Sequence, residues 1–440
     1  MKVNFGIHIS DTSASIARMI DGQPTIIRTN TLEYKIPLCV GFNKRGNLIV
    51  GDDAYNALIA SKIRYKNFET KSSSNYYCNF LRTIGTDKTY YFSNINKEYS
   101  SEQLLGFVIK TLKSFVKDNH EIASVITVPN RFNLNQIEAI KMAGTLGGLE
   151  QVETVQESIA ASIAYGLDVK NKNGLWLSFD FDEETFEAAL LKMEESIMKV
   201  IDTEGDNYLG GKNLDYAIVD GILISHIEEN YTIDNILSNN PGFREALKFY
   251  AEEIKNQLSF RGTFNLYVDP GDVGEDDNGE EIEIDITVTQ EMLEKVISPI
   301  FQKAIDLTKD LLERNNLSKE QLDSLILVGG PTCSPILRKM LEEQIIKPDT
   351  SVDPKTVVVK GAALYASRAN LFNSNTFNKS LLIEVEDLLF KLLEDGKIDS
   401  DAFQKHFDVI FDIKRMNLLP DKKILNKIYK ELENVAQQKI

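Results

Sequence analysis

The sequence predicts an α/β protein of duplicated build, and three observations carry that prediction. Two strand–turn–strand units of the same design stand far apart in the chain. Each is followed by mixed strand-like and helix-like segments, not by a short-period repeat. The composition, 42% hydrophobic and 26% charged, is that of an ordinary globular protein and excludes disorder, collagen or coiled coil as the whole chain. At 440 residues the chain is too long for one core, and ~150 residues per domain suggests about three units.

In the first unit Val3, Phe5, Ile7 and Ile9 alternate along a strand, Ser10-Asp11-Thr12-Ser13 form a polar turn, and Ser15-Ile16-Ala17 return. In the second, Leu175, Leu177 and Phe179 lead to Asp180, the turn is Asp182-Glu183-Glu184-Thr185, and Phe186 to Leu191 return. Ser100 and Gln103 make a capping box ahead of Leu104, Leu105, Phe107, Val108 and Leu112 at helical spacing. Asn133 to Leu146 reads as a second helix, stopped by Gly147-Gly148. Ser318 and Gln321 repeat the capping box, and Leu325-Ile326-Leu327-Val328 then reads as a buried strand ending at Gly329-Gly330.

Between Asp269 and Asp285 lies a run dense in acid: Asp272, Glu275, Asp276, Asp277, Glu280, Glu281 and Glu283. Its glycines and proline predict an exposed, solvated loop, and its spacing does not match a calcium loop. After Leu371 the texture changes. A polar linker (372–380, with Asn373-Ser374-Asn375-Thr376) precedes a tail, 381–440, that reads as three amphipathic helices. The first carries Leu381, Leu382, Val385, Leu388, Leu389 and Leu392, and the second Phe403, Phe407, Ile410 and Phe411. The third has Pro420 in its first turn and carries Ile424, Ile428 and Leu432.

Forty-nine basic against 66 acidic residues give a net charge of −17, which disfavours nucleic acid, so no DNA partner is expected. Cys39, Cys78 and Cys333 are odd in number and scattered, which fits a reducing compartment and offers neither a disulfide framework nor a zinc knuckle. His8, His120, His226 and His406 are equally dispersed, and no metal-ligating set is read from them. The N-terminus runs straight into a strand, and no apolar run approaches the roughly 18 residues of a membrane span. A cytoplasmic protein with no membrane partner is the expectation.

Tight turns of backbone N–H groups can cradle phosphate, which gives the two hairpins a chemical meaning. Several blocks make that meaning specific: Val125-Ile126-Thr127-Val128-Pro129, Phe132-Asn133, Gln136, Ala143-Gly144, Gly148-Leu149 and Gln156-Glu157-Ser158 through Gly166-Leu167. Further along stand Gly205-Asp206, Leu209-Gly210-Gly211, Asp215, Leu327-Val328-Gly329-Gly330-Pro331-Thr332, Pro335 and Gly361-Ala362-Ala363. In order and spacing, over residues 1 to about 370, they resemble the nucleotide-binding domain of the DnaK-type seventy-kilodalton heat-shock chaperones. The resemblance implies an actin-like ATPase fold. Two lobes, 1–170 and 171–371, each built on a ribonuclease-H-like sheet, would flank a nucleotide cleft, with the hairpins as its facing phosphate loops.

It also implies a set of site residues. Glu157 and Asp180 are remnants of the catalytic pair. Thr12, Ser13 and Thr185 fall in the phosphate loops, and Gly210, Gly211, Glu252, Lys255, Ser259, Gly329 and Gly330 match positions that hold the nucleoside. ATP or ADP is the implied cofactor, but magnesium is poorly provided for and no metal ligand is assigned. Where the family has an aspartate that organises magnesium-bound water, then a glycine and two threonines, this chain has His8, Ser10, Asp11 and Thr12. The glycines of the second loop are replaced by Asp182, Glu183 and Glu184, three carboxylates expected to face and repel a triphosphate. The last Asp of that loop is Glu187, and Leu81 holds the place of the catalytic lysine. The two base-stacking arginines align with Asn256 and Cys333, and a late aspartate with Lys355. Phosphoryl transfer depends on positioning and electrostatic stabilisation, so such losses predict an ATPase-deficient protein.

Within the family, Asp11-Thr12-Ser13-Ala14-Ser15-Ile16-Ala17, Asn79-Phe80 with Ile84-Gly85, and Gln156-Glu157-Ser158 with Ala160-Ala161 resemble the atypical, degenerate subunit of the ribosome-associated complex, partner of the J-protein zuotin. That resemblance implies a scaffold or cochaperone whose partners are a zuotin-like J-domain protein, the ribosome and an active DnaK-type chaperone. It also points to an apolar contact through Leu381 to Val385. The alternative is a divergent, ATP-hydrolysing DnaK-type foldase; an actin-like filament former ranks below both.

Overall fold

A computed structural model describes residues 3–64, 75–116, 122–167, 174–194 and 197–368, and beyond them 385, 388–393, 395, 397–399, 402–404, 406 and 428–432. Both hairpins form as the alternation predicts. Strands Val3–Ile9 and Ser13–Ile20 pair antiparallel with Ile7 opposite Ile16, and Leu175–Phe181 and Phe186–Glu194 pair with Phe179 opposite Ala188. Each turn is closed by a backbone bond, Ser10 N–H to Ser13 C=O at 2.8 Å and Asp182 N–H to Thr185 C=O at 2.9 Å.

Each hairpin seeds a sheet of the same plan. In the first, Val3–Ile9 runs parallel to Ile122–Val128, which is parallel to Gln151–Gln156, while Ser13–Ile20 adds Gln23–Ile26 antiparallel on its outer side. In the second, Leu175–Phe181 runs parallel to Ser324–Val328, which is parallel to Pro348–Asp349, while Phe186–Glu194 adds Ile197–Asp206 antiparallel. The duplication expected from pattern is therefore a duplication of topology.

Each sheet has its own core. Phe5, Ile7 and Ile9 are buried against Leu104, Leu105, Val108 and Leu112 of helix Ser101–Ser114; the side chain of Val3 falls outside the described set. Both bonds of the Ser100/Gln103 capping box are present, Gln103 N–H to Ser100 Oγ at 3.4 Å and Ser100 N–H to Gln103 Oε1 at 2.9 Å. Asn133 and Gln136 cap helix Leu134–Leu146 in the same way, whereas the Ser318/Gln321 box heads only the single turn Lys319–Gln321. In the second core Phe179 and Phe186 lie 4.7 Å apart and Phe181 meets Phe301 at 5.6 Å, both offset arrangements that ring quadrupoles favour.

A third cluster joins the halves. Helix Val357–Arg368, which a boundary at 371 places with the second half, contributes Val358, Ala362 and Ala366 to it alongside Val125, Ile159 and Ala160 of the first and Trp176 and Ile326 of the second. The approach is so close that a Cβ on Gly361 would lie 1.7 Å from the Ala160 carbonyl oxygen, and one on Gly6 would lie 2.2 Å from the Ala363 nitrogen.

Of the acidic segment, Asp272, Glu275, Glu280, Glu281 and Glu283 are exposed as expected, whereas Asp276 and Asp277 are not. Asp276 is 6% exposed and accepts the backbone N–H groups of Thr232, Asn278 and Glu280 at 3.2, 2.8 and 2.9 Å. Asp277 accepts those of Asn235 and Ile236 at the start of helix Asp234–Asn239. These two carboxylates are structural acceptors for otherwise unpaired donors. In the tail, Val385 and 388–393 are helical with Val385, Leu389 and Leu392 buried, and 428–432 are helical with Ile428 and Leu432 buried. The linker 372–380 and Leu381, Leu382, Phe407, Ile410, Phe411, Pro420 and Ile424 lie outside the described residues.

Gly361→Ala is expected to lower stability by about 2 kcal/mol or more, since rigid backbone must move to admit the methyl group. Gly262→Ala, where a Cβ meets no heavy atom within 4 Å, is the control and should stay within about 0.5 kcal/mol. Urea denaturation of the two variants measures the difference.

Candidate functional site

The two hairpin turns face each other across a cavity of about 560 Å³, a volume in the range of small-molecule sites. The first hairpin contributes His8, Ser10, Asp11 and Ser13 to its wall, and the second Asp180, Asp182, Thr185 and Glu187. Glu157 enters from the helix Glu157–Ala164, which begins directly where strand Gln151–Gln156 ends. Gly329 and Gly330 close the floor after strand Ser324–Val328. Gly329 has φ +89°, and a Cβ there would lie 2.1 Å from the Phe181 carbonyl oxygen; at Gly330 the missing Cβ leaves open space.

Of the residues matched to the nucleotide site, Ser13, Glu157, Asp180, Thr185, Gly329 and Gly330 are brought together on this cavity. Thr12 is not on its wall; its carbonyl accepts the Leu38 N–H at 2.7 Å. Gly210, Gly211, Glu252, Lys255 and Ser259 belong to a separate group outside the lining. Gly210 and Gly211 pack against the second turn, with Gly211 N–H bonded to Asp182 C=O at 2.8 Å. Lys255 donates to the fully buried Asp215, Ser259 Oγ donates to the Lys255 carbonyl at 2.9 Å, and Lys248 lies 3.4 Å from Glu252 and 3.7 Å from both Glu183 and Asp215. Glu183, Asp215 and Glu252 are close enough to share a cation, but two ammonium groups already neutralise them.

The three carboxylates of the second turn do not act together as expected. Only Asp182 borders the cavity. Glu183 turns to Lys248, and Glu184 accepts from Asn79 Nδ2 at 3.1 and 3.2 Å and lies 3.0 Å from Arg82. Asn79 sits in the left-handed region, φ 57°, which an asparagine tolerates and which aims its amide at Glu184. The repulsion is removed by pairing.

Arg82 is the residue that sequence reasoning missed. Its Nε donates to Asp11 Oδ2 at 3.0 Å, its Nη2 lies 3.0 Å from Glu184 Oε2 and donates to the Asn207 carbonyl at 3.1 Å, and its guanidinium stands 5.5 Å over the Tyr208 ring. One side chain thus ties the first turn to the second. The signal was present, since Arg82 directly follows Leu81, which itself lines the cavity. A second tie lies deeper, where Arg131 Nε is 3.3 Å from Glu187 and Asn130 donates to the same carboxylate.

Burial sets the protonation of the floor. It pushes the carboxyls of Glu157 and Asp180 well above the ordinary range, with neighbouring carboxylates adding to the effect, so both hold protons that exposed acids release. Burial first, and then the Lys35 charge, lowers His8 to about 4, which leaves a neutral imidazole 2.9 Å from Thr127 Oγ1 and 3.6 Å from Glu157. This donor set does not fit magnesium, which wants ionised oxygen ligands. A nucleotide fits better: the volume suffices, Gly330 leaves room, and Ser13 and Thr185 supply hydroxyl groups.

The same shifts fix how stability responds to pH. Asp215 is pushed up to about 6 by burial, against the pull of Lys255. The folded chain therefore binds more protons than the unfolded one as pH rises from about 4 to 6, and stability falls through that window. Glu157 and Asp180 add to this fall, His8, lowered to about 4, opposes it within the same window, and Asp202 and Glu204, held low by Arg314, oppose it only at lower pH. Urea midpoints should thus be higher at pH 5 than at pH 7.5, and Glu157→Gln should flatten the slope.

Comparison with known proteins agrees with this geometry. Residues 4–396 match the family model described as Hsp70 protein. The chain is 31% identical over 368 residues to the chaperone protein DnaK of Methanothermobacter thermautotrophicus, covering 82% of this chain and 58% of that one. It is 30% identical over 378 residues to the DnaK of Nitrosopumilus maritimus, covering 82% and 55%. The chain therefore spans little more than half the length of these relatives. With two sheets of one topology, a cavity between their hairpins and this match over most of its length, the chain belongs to the Hsp70 family and carries its actin-like ATPase fold.

Proposed function

We propose that the chain is a non-hydrolysing chaperone subunit of the Hsp70 family, which holds a nucleotide without cycling it and serves as a scaffold or cochaperone for a J-domain protein. The observation that carries this reading is Arg82, which binds Asp11 of one hairpin turn and Glu184 of the other. The protein's own charges tie the turns together, so closure does not await a ligand. Leu81, with no charge to offer a γ-phosphate, borders the same cavity. A neutral His8 and protonated Glu157 and Asp180 remove the groups that would organise a metal and its water. A zuotin-like J-protein, the ribosome and an active DnaK-type chaperone are the partners this reading names. The retention of Glu157 and Asp180 on the cavity favours the second reading, a divergent ATP-hydrolysing foldase.

Calorimetric titration of ATP into nucleotide-free protein, with phosphate release followed on the same sample, separates the two. The expected result is saturable binding without release, and sustained release would establish the foldase. A purified zuotin-like J-protein should bind equally with and without ATP. Arg82→Met should raise amide exchange in both hairpin turns by about tenfold or more, the scale of losing hydrogen bonds to a charged group. An unchanged exchange rate would mean that the turns are held by packing alone.

A further inference from the structure

Two ammonium groups border the cavity with no carboxylate to balance them. Lys35 precedes the short strand Ile36–Pro37, and Lys355 precedes helix Val357–Arg368, so the two arrive from opposite ends of the chain. Among the described residues, neither ammonium takes part in an ion pair or a hydrogen bond. The other two permanent cations of the wall are engaged, Arg82 by Asp11 and Glu184 and Arg131 by Glu187. The acids are also accounted for. Arg82 faces both Asp11 and Glu184, of which only Asp11 lines the cavity, Arg131 faces Glu187, and burial raises the carboxyls of Glu157 and Asp180. Glu157 and Asp180 apart, the wall carries three carboxylates, Asp11, Asp182 and Glu187, against four cations, Arg82, Arg131, Lys35 and Lys355.

A cavity with surplus positive charge, an apolar Leu81 and a neutral imidazole is complementary to an anion that brings no metal of its own. Lysine serves phosphate as a mobile point charge and needs no fixed geometry. We propose that Lys35 and Lys355 grip the phosphate chain of a metal-free nucleoside di- or triphosphate, supplying the counter-charge that magnesium and a lysine at position 81 would otherwise bring. This inference rests on the nucleotide-holding reading above. It makes magnesium a competitor of the lysines for the phosphate oxygens instead of a partner of the protein.

The test is calorimetric titration of the full chain with ADP, pyrophosphate and adenosine, each in EDTA and in excess magnesium, for the unaltered protein, Lys35→Gln and Lys355→Gln. Both lysines are exposed, so the variants should melt with the parent. ADP should bind at least as tightly in EDTA as in magnesium. Each variant should weaken ADP and pyrophosphate about tenfold or more, and adenosine should not change. ADP binding that requires magnesium, or that ignores both substitutions, overturns the grip and leaves the nucleotide reading standing. Lysine-dependent binding of pyrophosphate without binding of ADP keeps the grip and overturns the nucleotide reading. Absence of binding by all three probes overturns both.

Discussion

Everything about the cleft depends on how closely helix Val357–Arg368 approaches strand Val3–Ile9 and helix Glu157–Ala164. Two similar sheets, each with its own core, have no intrinsic reason to hold a fixed relation to one another. The third cluster supplies it, because Val358, Ala362 and Ala366 pack on the first sheet and on helix Glu157–Ala164, which in turn meets the strands of the second sheet. That contact exists only because Gly6 and Gly361 present no Cβ to the backbone opposite. A close-packed seam of this kind transmits position without slack. The separation of the two hairpin turns, and hence the cavity between them, follows from it.

Given that frame, desolvation decides the chemistry more than residue identity does. Glu157 and Asp180 face the cavity, and burial beside other carboxylates raises both well above the ordinary carboxyl range. A carboxyl that keeps its own proton has no basic site with which to take another from water. His8 shows the complementary effect, since burial and Lys35 hold it neutral. Of the cations on the wall, Arg82 joins the two hairpin turns, and Arg131 ties the loop after strand Ile122–Val128 to the second hairpin.

Much of the fold was legible because it rests on local rules. The alternation of Phe5, Ile7 and Ile9, and of Leu175, Leu177 and Phe179, has the period of a strand, and capping boxes at Ser100 and Asn133 mark helix starts by hydrogen bonds within four residues. Blocks such as Gly329-Gly330 were legible because backbone geometry leaves glycine no substitute there. What stayed hidden was long-range. Nothing near Glu184 in sequence foretells Asn79 and Arg82 as its partners, so its charge read as repulsion when it is in fact satisfied. Asp276 and Asp277 read as solvated for the same reason, because the N–H groups of Thr232 and Asn235 that they accept lie more than forty residues upstream.

These replacements are coherent when charge is followed instead of residue names. Removing a lysine at position 81 alone would leave a phosphate site short of positive charge. Introducing acids into the second turn alone would close that site to anions. Here Glu184 and Glu183 of the turn are met by Arg82 and Lys248, and Lys35 and Lys355 stand on the cavity wall outside those pairs. A site drifting without constraint would accumulate unpaired buried carboxylates at several kcal/mol each, the cost of an ion left without a partner. On the described wall, Glu157 and Asp180 meet burial with raised carboxyls instead of cationic partners, and Asp182 has no ion pair among the described residues. The pattern is that of a cleft whose charges are held by pairing between the elements that wall it.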